Sequence, residues 1–156
     1  MTRGKLALTK ITTGKASRYI KPRWLVSDNI STEAFDLREG TPPETYVSHF
    51  MVEGKDDTDL FKSAYNIIST KITKCHVGTI ALLDVPETLA LVNDEEEPFI
   101  DFIEQGLPHC GLIYVTRSQE DIQEAKATLC FLARKKMRSA RDIADNVATT
   151  EKLSEK

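Results

Sequence analysis

The chain has 156 residues, of which 40% are hydrophobic and 29% charged, and these values are typical of one globular domain with a hydrophobic core. No apolar run approaches the roughly 18 residues that a membrane helix needs, and the first residues lack the apolar segment of a secretory signal. A net charge of −3 and a pI near 5.7 argue against a general nucleic-acid binder. Three cysteines form a poor disulfide framework and predict reduced thiols, so we expect a cytoplasmic protein.

The charge is uneven along the chain. From Met1 to Arg18 the chain has five basic residues and no acidic one; the five are Arg3, Lys5, Lys10, Lys15 and Arg18. Residues 1–16 show no hydrophobic period, so the sequence predicts a flexible basic arm there. Such an arm could contact nucleic acid through its lysines and Arg3, helped by a second basic run at 134–141. Runs of this kind are more often simply solvated, and both alternatives stay open.

Two segments of the first half have the alternating pattern of half-buried strands. In residues 31–37, apolar side chains alternate with polar neighbours. Residues 45–52 are rich in aromatic and β-branched side chains, which predicts a second strand. Because successive side chains of a strand point to opposite faces, this strand would place Tyr46, Ser48 and Phe50 on one face.

The second half alternates between helical and strand patterns. Apolar residues at helical spacing predict helices, and nearly continuous apolar runs predict buried strands. The predicted elements are a helix at 58–70, a strand at 75–85, a helix at 86–92, a strand at 109–115 and a helix at 118–138. Residues 98–103 fit either a strand or a helix.

These elements together predict a single α+β domain. We expect a mixed or antiparallel sheet, centred on residues 75–85 and 109–115, with two to three helices packed on it. The expected organisation is a flexible basic arm at 1–16, a globular domain at 17–140, and a charged tail that can be helical at 141–156.

Two mirrored dipeptides, Cys75-His76 and His109-Cys110, open the two predicted buried strands. Cys and His bind metals and act as nucleophile and base near neutral pH. Adjacent residues of a strand point to opposite faces, so each dipeptide would supply at most one zinc ligand. Free cysteines are commonly small buried hydrophobes, and we favour that interpretation over a metal site or a Cys–His nucleophile. His109 is the more interesting of the two histidines, because functional side chains gather at loop-to-strand junctions.

A set of polar side chains forms the second candidate site. Arginines at strand ends can make paired hydrogen bonds to phosphate or carboxylate, so Arg18 and Arg38 are candidates to hold a cofactor of unknown identity. Tyr46 and Ser48 would line the wall of a pocket. The candidate catalytic residues are Arg18, Tyr46, Ser48 and His109. The alternative is a set of surface arginines beside an ordinary strand.

Four segments of the chain carry a resemblance to a set of small uncharacterised bacterial proteins. Those proteins share an Arg-x-(Ile/Leu)-x-Pro-x-Trp-Leu opening, a Ser-x-Ala-Phe-type element, a Tyr-x-Ser strand and a His-Cys-Gly segment. The similar segments here are Arg18–Leu25, Ser31–Gly40, Tyr46–Ser48 and His109–Gly111. The resemblance spans residues 18–116 and implies a bacterial or phage-related origin.

A more distant resemblance is to ADP-ribosyltransferase-like toxins, which begin with an Arg-bearing strand and continue with a Tyr/Ser strand. It implies that Arg18 would hold an NAD phosphate, that Tyr46 and Ser48 would shape a nicotinamide pocket, and that a late Glu would orient the ribose. Glu104 and Glu120 are the nominal candidates for that last role, and neither stands in a recognisable motif.

The sequence therefore favours a small intracellular binding or accessory protein that takes a protein partner or a small ligand. This expectation rests on well-specified strands and helices combined with the lack of any constellation at catalytic spacing. The first alternative is an ADP-ribosyl-transferring or NAD-cleaving enzyme. The second is a protein that contacts nucleic acid through its basic arm.

Overall fold

A sheet of seven strands, each paired with its neighbours in antiparallel fashion, organises the molecule. The computed structural model describes residues 9–37 and 45–154, and side chains as far as residue 147. The sheet strands are β1 (Lys10–Ile11), β2 (Lys15–Ile20), β5 (Val47–Val52), β6 (Thr79–Asp84), β7 (Ile100–Glu104), β8 (His109–Tyr114) and β9 (Met137–Ser139). Their order across the sheet is β1-β7-β8-β5-β2-β6-β9. The short strands β3 (Leu25–Val26) and β4 (Asn29–Ile30) pair with each other.

Four helices accompany the sheet in the described part of the chain. They are α1 (Asp57–Lys71), α2 (Val85–Val92), α3 (Gln119–Lys135) and α4 (Ala140–Ser154). Each of the first three begins after a side chain that accepts a hydrogen bond from a backbone N–H of the first turn, which satisfies an otherwise unpaired donor. These N-caps are Asp56, Asp84 and Ser118. The predicted α+β class is confirmed, with one helix more than the two or three expected.

Helices cover both faces of the sheet, so each face has its own apolar core. On the face covered by α2 and α3, which we call the α3 face, the buried strand residues include Ala16, Ile20, Val47, Ala81, Cys110 and Leu112. On the face covered by α1 and α4, the α1 face, they include Tyr19, Val52, Ile80 and Leu82. Alternation along each strand explains this division.

Three sequence expectations differ from the structure. Residues 31–37 form no strand; Thr32–Phe35 is a 3-10 helix, because Ser31 caps it and the adjacent Ala34 and Phe35 are both buried. The segment Cys75–Val77 is also a 3-10 helix, so β6 begins only at Thr79. The sheet is not centred on β6 and β8, since β5 and β2 lie between them.

The described part of the predicted arm belongs to the sheet. Lys10 and Ile11 pair with β7, and Lys15 pairs with both β5 and β6. The prediction that all of residues 1–16 form a flexible arm is therefore wrong for residues 10–11 and 15–16, which lie in strands of the sheet. The predicted tail at 141–156 is helical as far as Ser154, and Ile143 packs in the α1-face core.

Among the described residues, no helix combines the length and the apolar character that crossing a membrane requires.

Candidate functional site

Ser48 and His109 meet on the α1 face, on the neighbouring strands β5 and β8. Ser48 lies opposite Gly111 in the register. The backbone N–H of Met51 donates to the carbonyl of Pro108 at 2.7 Å, so the alternation of an antiparallel ladder makes Ser48 and Gly111 a closely spaced, non-hydrogen-bonded pair. Gly111 has no side chain of its own, and the His109 side chain, which lies opposite Phe50 in the register, reaches Ser48. Ser48 Oγ and His109 Nε2 are 2.8 Å apart, a hydrogen bond.

Two aromatic rings flank the imidazole. The Phe50 ring is stacked on it with centroids 5.1 Å apart, and the Tyr46 ring meets it edge-on at 5.6 Å. Tyr46 lies directly over Gly111, where an added Cβ would come within 2.7 Å of the Tyr46 Cγ. We call Tyr46, Ser48, Phe50 and His109 the Ser–His patch. All four are partly exposed.

The His109 ring is neutral at neutral pH. Partial burial lowers its pKa, and the positive charge of Lys71 at the end of α1 lowers it further. A neutral imidazole can accept the proton of the Ser48 hydroxyl or donate to its oxygen. Within residues 9–37 and 45–147, no carboxylate hydrogen-bonds to His109, so the group that orients the base in a Ser–His–acid triad is not supplied there.

Arg18 lies on the opposite face of the sheet from the Ser–His patch. It stands beside Ala81 in the register of β2 and β6, which places its side chain on the α3 face. Its Nε and Nη2 donate to the Ala34 carbonyl at 3.0 and 2.7 Å, and its Nη1 donates to the Ser48 carbonyl at 3.0 Å. The guanidinium carbon lies 5.2 Å from the Trp24 ring centroid. Arg18 thus ties β2, β5 and the 3-10 helix together.

The structure brings together three of the four candidate catalytic residues. Tyr46, Ser48 and His109 share the Ser–His patch, whereas Arg18 touches Ser48 only through its backbone carbonyl. Whether Arg18 would join them depended on strand register, which the sequence does not reveal. Arg38, the other candidate for holding a cofactor, lies outside the described residues. Glu104 and Glu120 are both exposed, on the last residue of β7 and in the first turn of α3.

Several cations of the two basic runs are engaged within the fold. Lys10 and Lys15 form ion pairs with Asp101 and Asp84. Further along, Lys136 pairs with Asp57 at 3.2 Å, and the Arg138 guanidinium lies 4.7 Å from the Phe61 ring centroid. Arg3 and Lys5 are outside the described residues. These contacts reduce the charge that the described cations offer to a phosphate backbone.

The three cysteines are free and buried, on separate elements. Cys75 packs on the α1 face and Cys110 on the α3 face, so the sheet separates them. Burial raises the pKa of Cys110 to about 12 and that of Cys130 to about 11, which leaves both thiols protonated at neutral pH and poorly nucleophilic. Among the described residues, no group of three or more His, Cys, Asp or Glu side chains is placed to hold a metal ion.

His49 is an interior residue of β5. It is fully buried on the α3 face, stacked on Phe35 and edge-on to Phe102. Its Nδ1 lies 3.0 Å from the Val47 carbonyl, and its Nε2 has no hydrogen-bond partner among the described residues. Burial, helped by the charge of Arg18, lowers its pKa to about 3. His49 is therefore a neutral part of the core.

A cavity of about 340 Å³ lies away from the Ser–His patch, where the N-termini of α1 and α2 meet the C-terminal end of α3. We call it the three-helix cavity. Its lining includes both charged and apolar side chains: Lys15, Asp57, Leu60, Leu82, Leu83, Asp84, Glu87, Thr88, Leu132, Lys135 and Lys136. Sequence reasoning missed it because these residues come from segments far apart in the chain.

No protein-family model matches the chain, and no curated protein or solved structure is significantly similar to it. The resemblances to small bacterial proteins and to ADP-ribosyltransferase-like toxins therefore stay predictions.

Proposed function

We propose that the protein is a binding or accessory protein whose ligand contacts the Ser–His patch. The observation that carries this proposal is the hydrogen-bonded Ser48–His109 pair, held between two aromatic rings on a partly exposed part of the sheet. Such a surface offers a donor, an acceptor and flat apolar area within a few ångströms, which is the usual composition of a recognition site.

The chemistry of the patch defines the kind of ligand. Tyr46, Phe50 and the neutral His109 ring provide faces and edges on which an aromatic or apolar group can pack. The Ser48 hydroxyl can serve as donor or acceptor for a polar atom beside that group. The proposed ligand is thus an aromatic small molecule or side chain that carries a hydrogen-bonding group.

Rigidity supports binding at this place. The patch lies on two paired strands, and Arg18 fixes the backbone of Ser48 from the opposite face. Side chains held by regular elements lose little conformational entropy when a ligand binds.

Backbone-amide NMR titration of the full chain tests the proposal. The probes are phenol, indole, nicotinamide and adenosine, each an aromatic compound with a polar group. We expect at least one probe to shift the amide signals of β5 and β8, and expect the shifts to be lost in His109→Gln and Ser48→Ala. His76→Gln is the control, because His76 is exposed and lies in the 3-10 helix at Cys75–Val77. Probe binding that survives both patch substitutions would contradict the proposal.

The NAD-cleaving alternative is tested in the same samples. It requires Arg18 to hold an NAD phosphate, whereas three of the Arg18 donor contacts go to backbone carbonyls. Mass spectrometry after incubation with NAD should detect no nicotinamide release. Release that depends on Ser48 or His109 would replace the binding proposal with an enzymatic one.

A further inference from the structure

The three-helix cavity has the composition of a small-molecule site, separate from the Ser–His patch. We infer that it binds a small zwitterion of the free α-amino-acid type with an apolar side chain. Its volume of about 340 Å³ lies in the range of ligand cavities.

The apolar part of the ligand is defined by four leucines. They come from α1, β6 and α3, and they are Leu60, Leu82, Leu83 and Leu132. All four are 6% exposed or less. An aliphatic side chain packed on them would be removed from water, which favours leucine over polar amino acids.

The Thr88 side chain contributes a hydroxyl group to the lining of the cavity. Thr88 lines the cavity and is 1% exposed. Among the described residues, His49 Nε2 is the one fully buried side-chain polar atom without a partner, so the Thr88 oxygen is accessible from the cavity. This hydroxyl can donate a hydrogen bond to a polar atom of a ligand or accept one from it.

The charges of the lining set the ionic character of the ligand. Lys15 pairs with Asp84, and Lys136 pairs with Asp57. Glu87 remains as a carboxylate without an ion pair among the described residues, and Lys135 remains as a cation whose Nζ lies 5.1 Å from the Phe131 ring centroid.

A ligand with both charges fits this arrangement best. A simple anion would meet three carboxylates, and a simple cation would meet three lysines. A zwitterion can place its ammonium group at Glu87, its carboxylate at Lys135, and its side chain on the leucines.

Isothermal titration calorimetry of the full chain tests this inference with three related probes. L-Leucine carries both charges, N-acetyl-L-leucine lacks the ammonium, and L-leucinamide lacks the carboxylate. We expect leucine to bind, and each derivative to bind about tenfold or more weakly because one charged contact is lost.

Substitutions assign each charge to a residue. Glu87→Gln should remove the preference for leucine over N-acetyl-leucine, and Lys135→Gln should remove the preference for leucine over leucinamide. Thr88→Val should weaken leucine binding about three- to tenfold, and it removes no hydrogen bond within the described protein. Glu124→Gln, on the exposed surface of α3 outside the cavity, is the matched control and should bind like the wild type.

Two results would overturn the inference. One is that folded wild-type protein shows no heat with leucine at millimolar concentrations. The other is that Glu87→Gln and Lys135→Gln leave the order of the three probes unchanged. The substituted residues line the three-helix cavity and lie outside the Ser–His patch. Either result would therefore leave the proposal of ligand binding at the Ser–His patch standing.

Discussion

On each face of the sheet at β5, a histidine packs among aromatic rings, and the two histidines differ in their exposure to water. On the α3 face, His49 is fully buried beside Phe35 and Phe102, and one ring nitrogen has no partner. On the α1 face, His109 of the adjacent strand also lies among aromatic rings, yet it is partly exposed and bonds to Ser48. The covering layer makes the difference, since the rings are similar and the access to water is not.

This comparison separates structural from functional polar groups. A polar side chain such as the partly exposed Arg18 donates to backbone carbonyls and acts on stability. Ser48, which is also partly exposed, bonds to another side chain and keeps hydrogen-bonding capacity for a ligand. Substitutions on the α3 face should therefore change the free energy of unfolding, and those on the α1-face patch should change binding.

The largest effect is expected for Arg18→Met, which keeps the length of the side chain and removes its donors. The carbonyls of Ala34 and Ser48 would lose their bonds to Arg18, and we expect a loss of about 3 kcal/mol in the free energy of unfolding. Urea denaturation measures this. Arg23→Met is the control, because the Arg23 guanidinium also lies near Trp24, at 5.9 Å, but the residue is exposed. Equal losses in the two variants would mean that contact with Trp24, and not the carbonyl bonds, is what matters.

The second prediction concerns pH and His49. Its pKa is about 3 in the folded protein and 6.5 in the unfolded chain, so between these values the unfolded chain binds one more proton. The free energy of unfolding should therefore fall as pH drops from 6.5 towards 3, by about 1 kcal/mol per pH unit. The lowered pKa of His109 acts in the same direction.

Urea denaturation at several pH values compares the wild type with His49→Leu, which removes the titrating group and keeps a similar volume. The variant should lose most of the slope, while His76→Gln should unfold like the wild type. A slope that persists in His49→Leu would show that other groups cause the acid sensitivity.

The sequence predicted elements better than contacts. Periodicity gave β5, β8, α1 and α3 with nearly their observed bounds, because each has a regular apolar pattern. It failed at residues 31–37, where adjacent buried residues sit in a 3-10 helix instead of alternating in a strand.

The candidate site was predictable only in part. The common face of Tyr46 and Ser48 follows from strand alternation, but the contact of Ser48 with His109 depends on which strands are neighbours. Strand order and register are set by tertiary packing across residues far apart in the chain. For the same reason, the sequence did not reveal that Arg18 lies on the opposite face from the other three candidates, or that the residues of the three-helix cavity come together.

A smaller effect is expected for Gly111→Ala, which tests how the patch is built. The added Cβ would lie within 2.8 Å of Cβ, Cγ and Cδ2 of Tyr46, and these atoms lie close to the backbone, so the ring cannot simply swing away. We expect a loss of about 1–2 kcal/mol in the free energy of unfolding. In a Tyr46→Ala background the same change should cost almost nothing, and a double-mutant cycle measures this coupling. An equal cost in both backgrounds would show that Tyr46 is not the obstacle.

The smallest effect on stability is expected for Ser48→Ala, on the exposed side of the comparison. The Ser48–His109 hydrogen bond is partly solvated, so water can replace it, and its loss should lower the free energy of unfolding by about 0.5–1 kcal/mol. The His109 ring should keep its stacking on Phe50, because that contact does not involve the hydroxyl. NMR of the imidazole nitrogens during a pH titration measures the change at Nε2. The contrasting variant for stability is Ser17→Ala. Ser17 is buried, and its hydroxyl donates to the Phe50 carbonyl inside the α1-face packing. If Ser48→Ala destabilised the fold more than Ser17→Ala does, Ser48 would belong with the structural polar groups, and the Ser–His patch would lose its claim to be a binding surface.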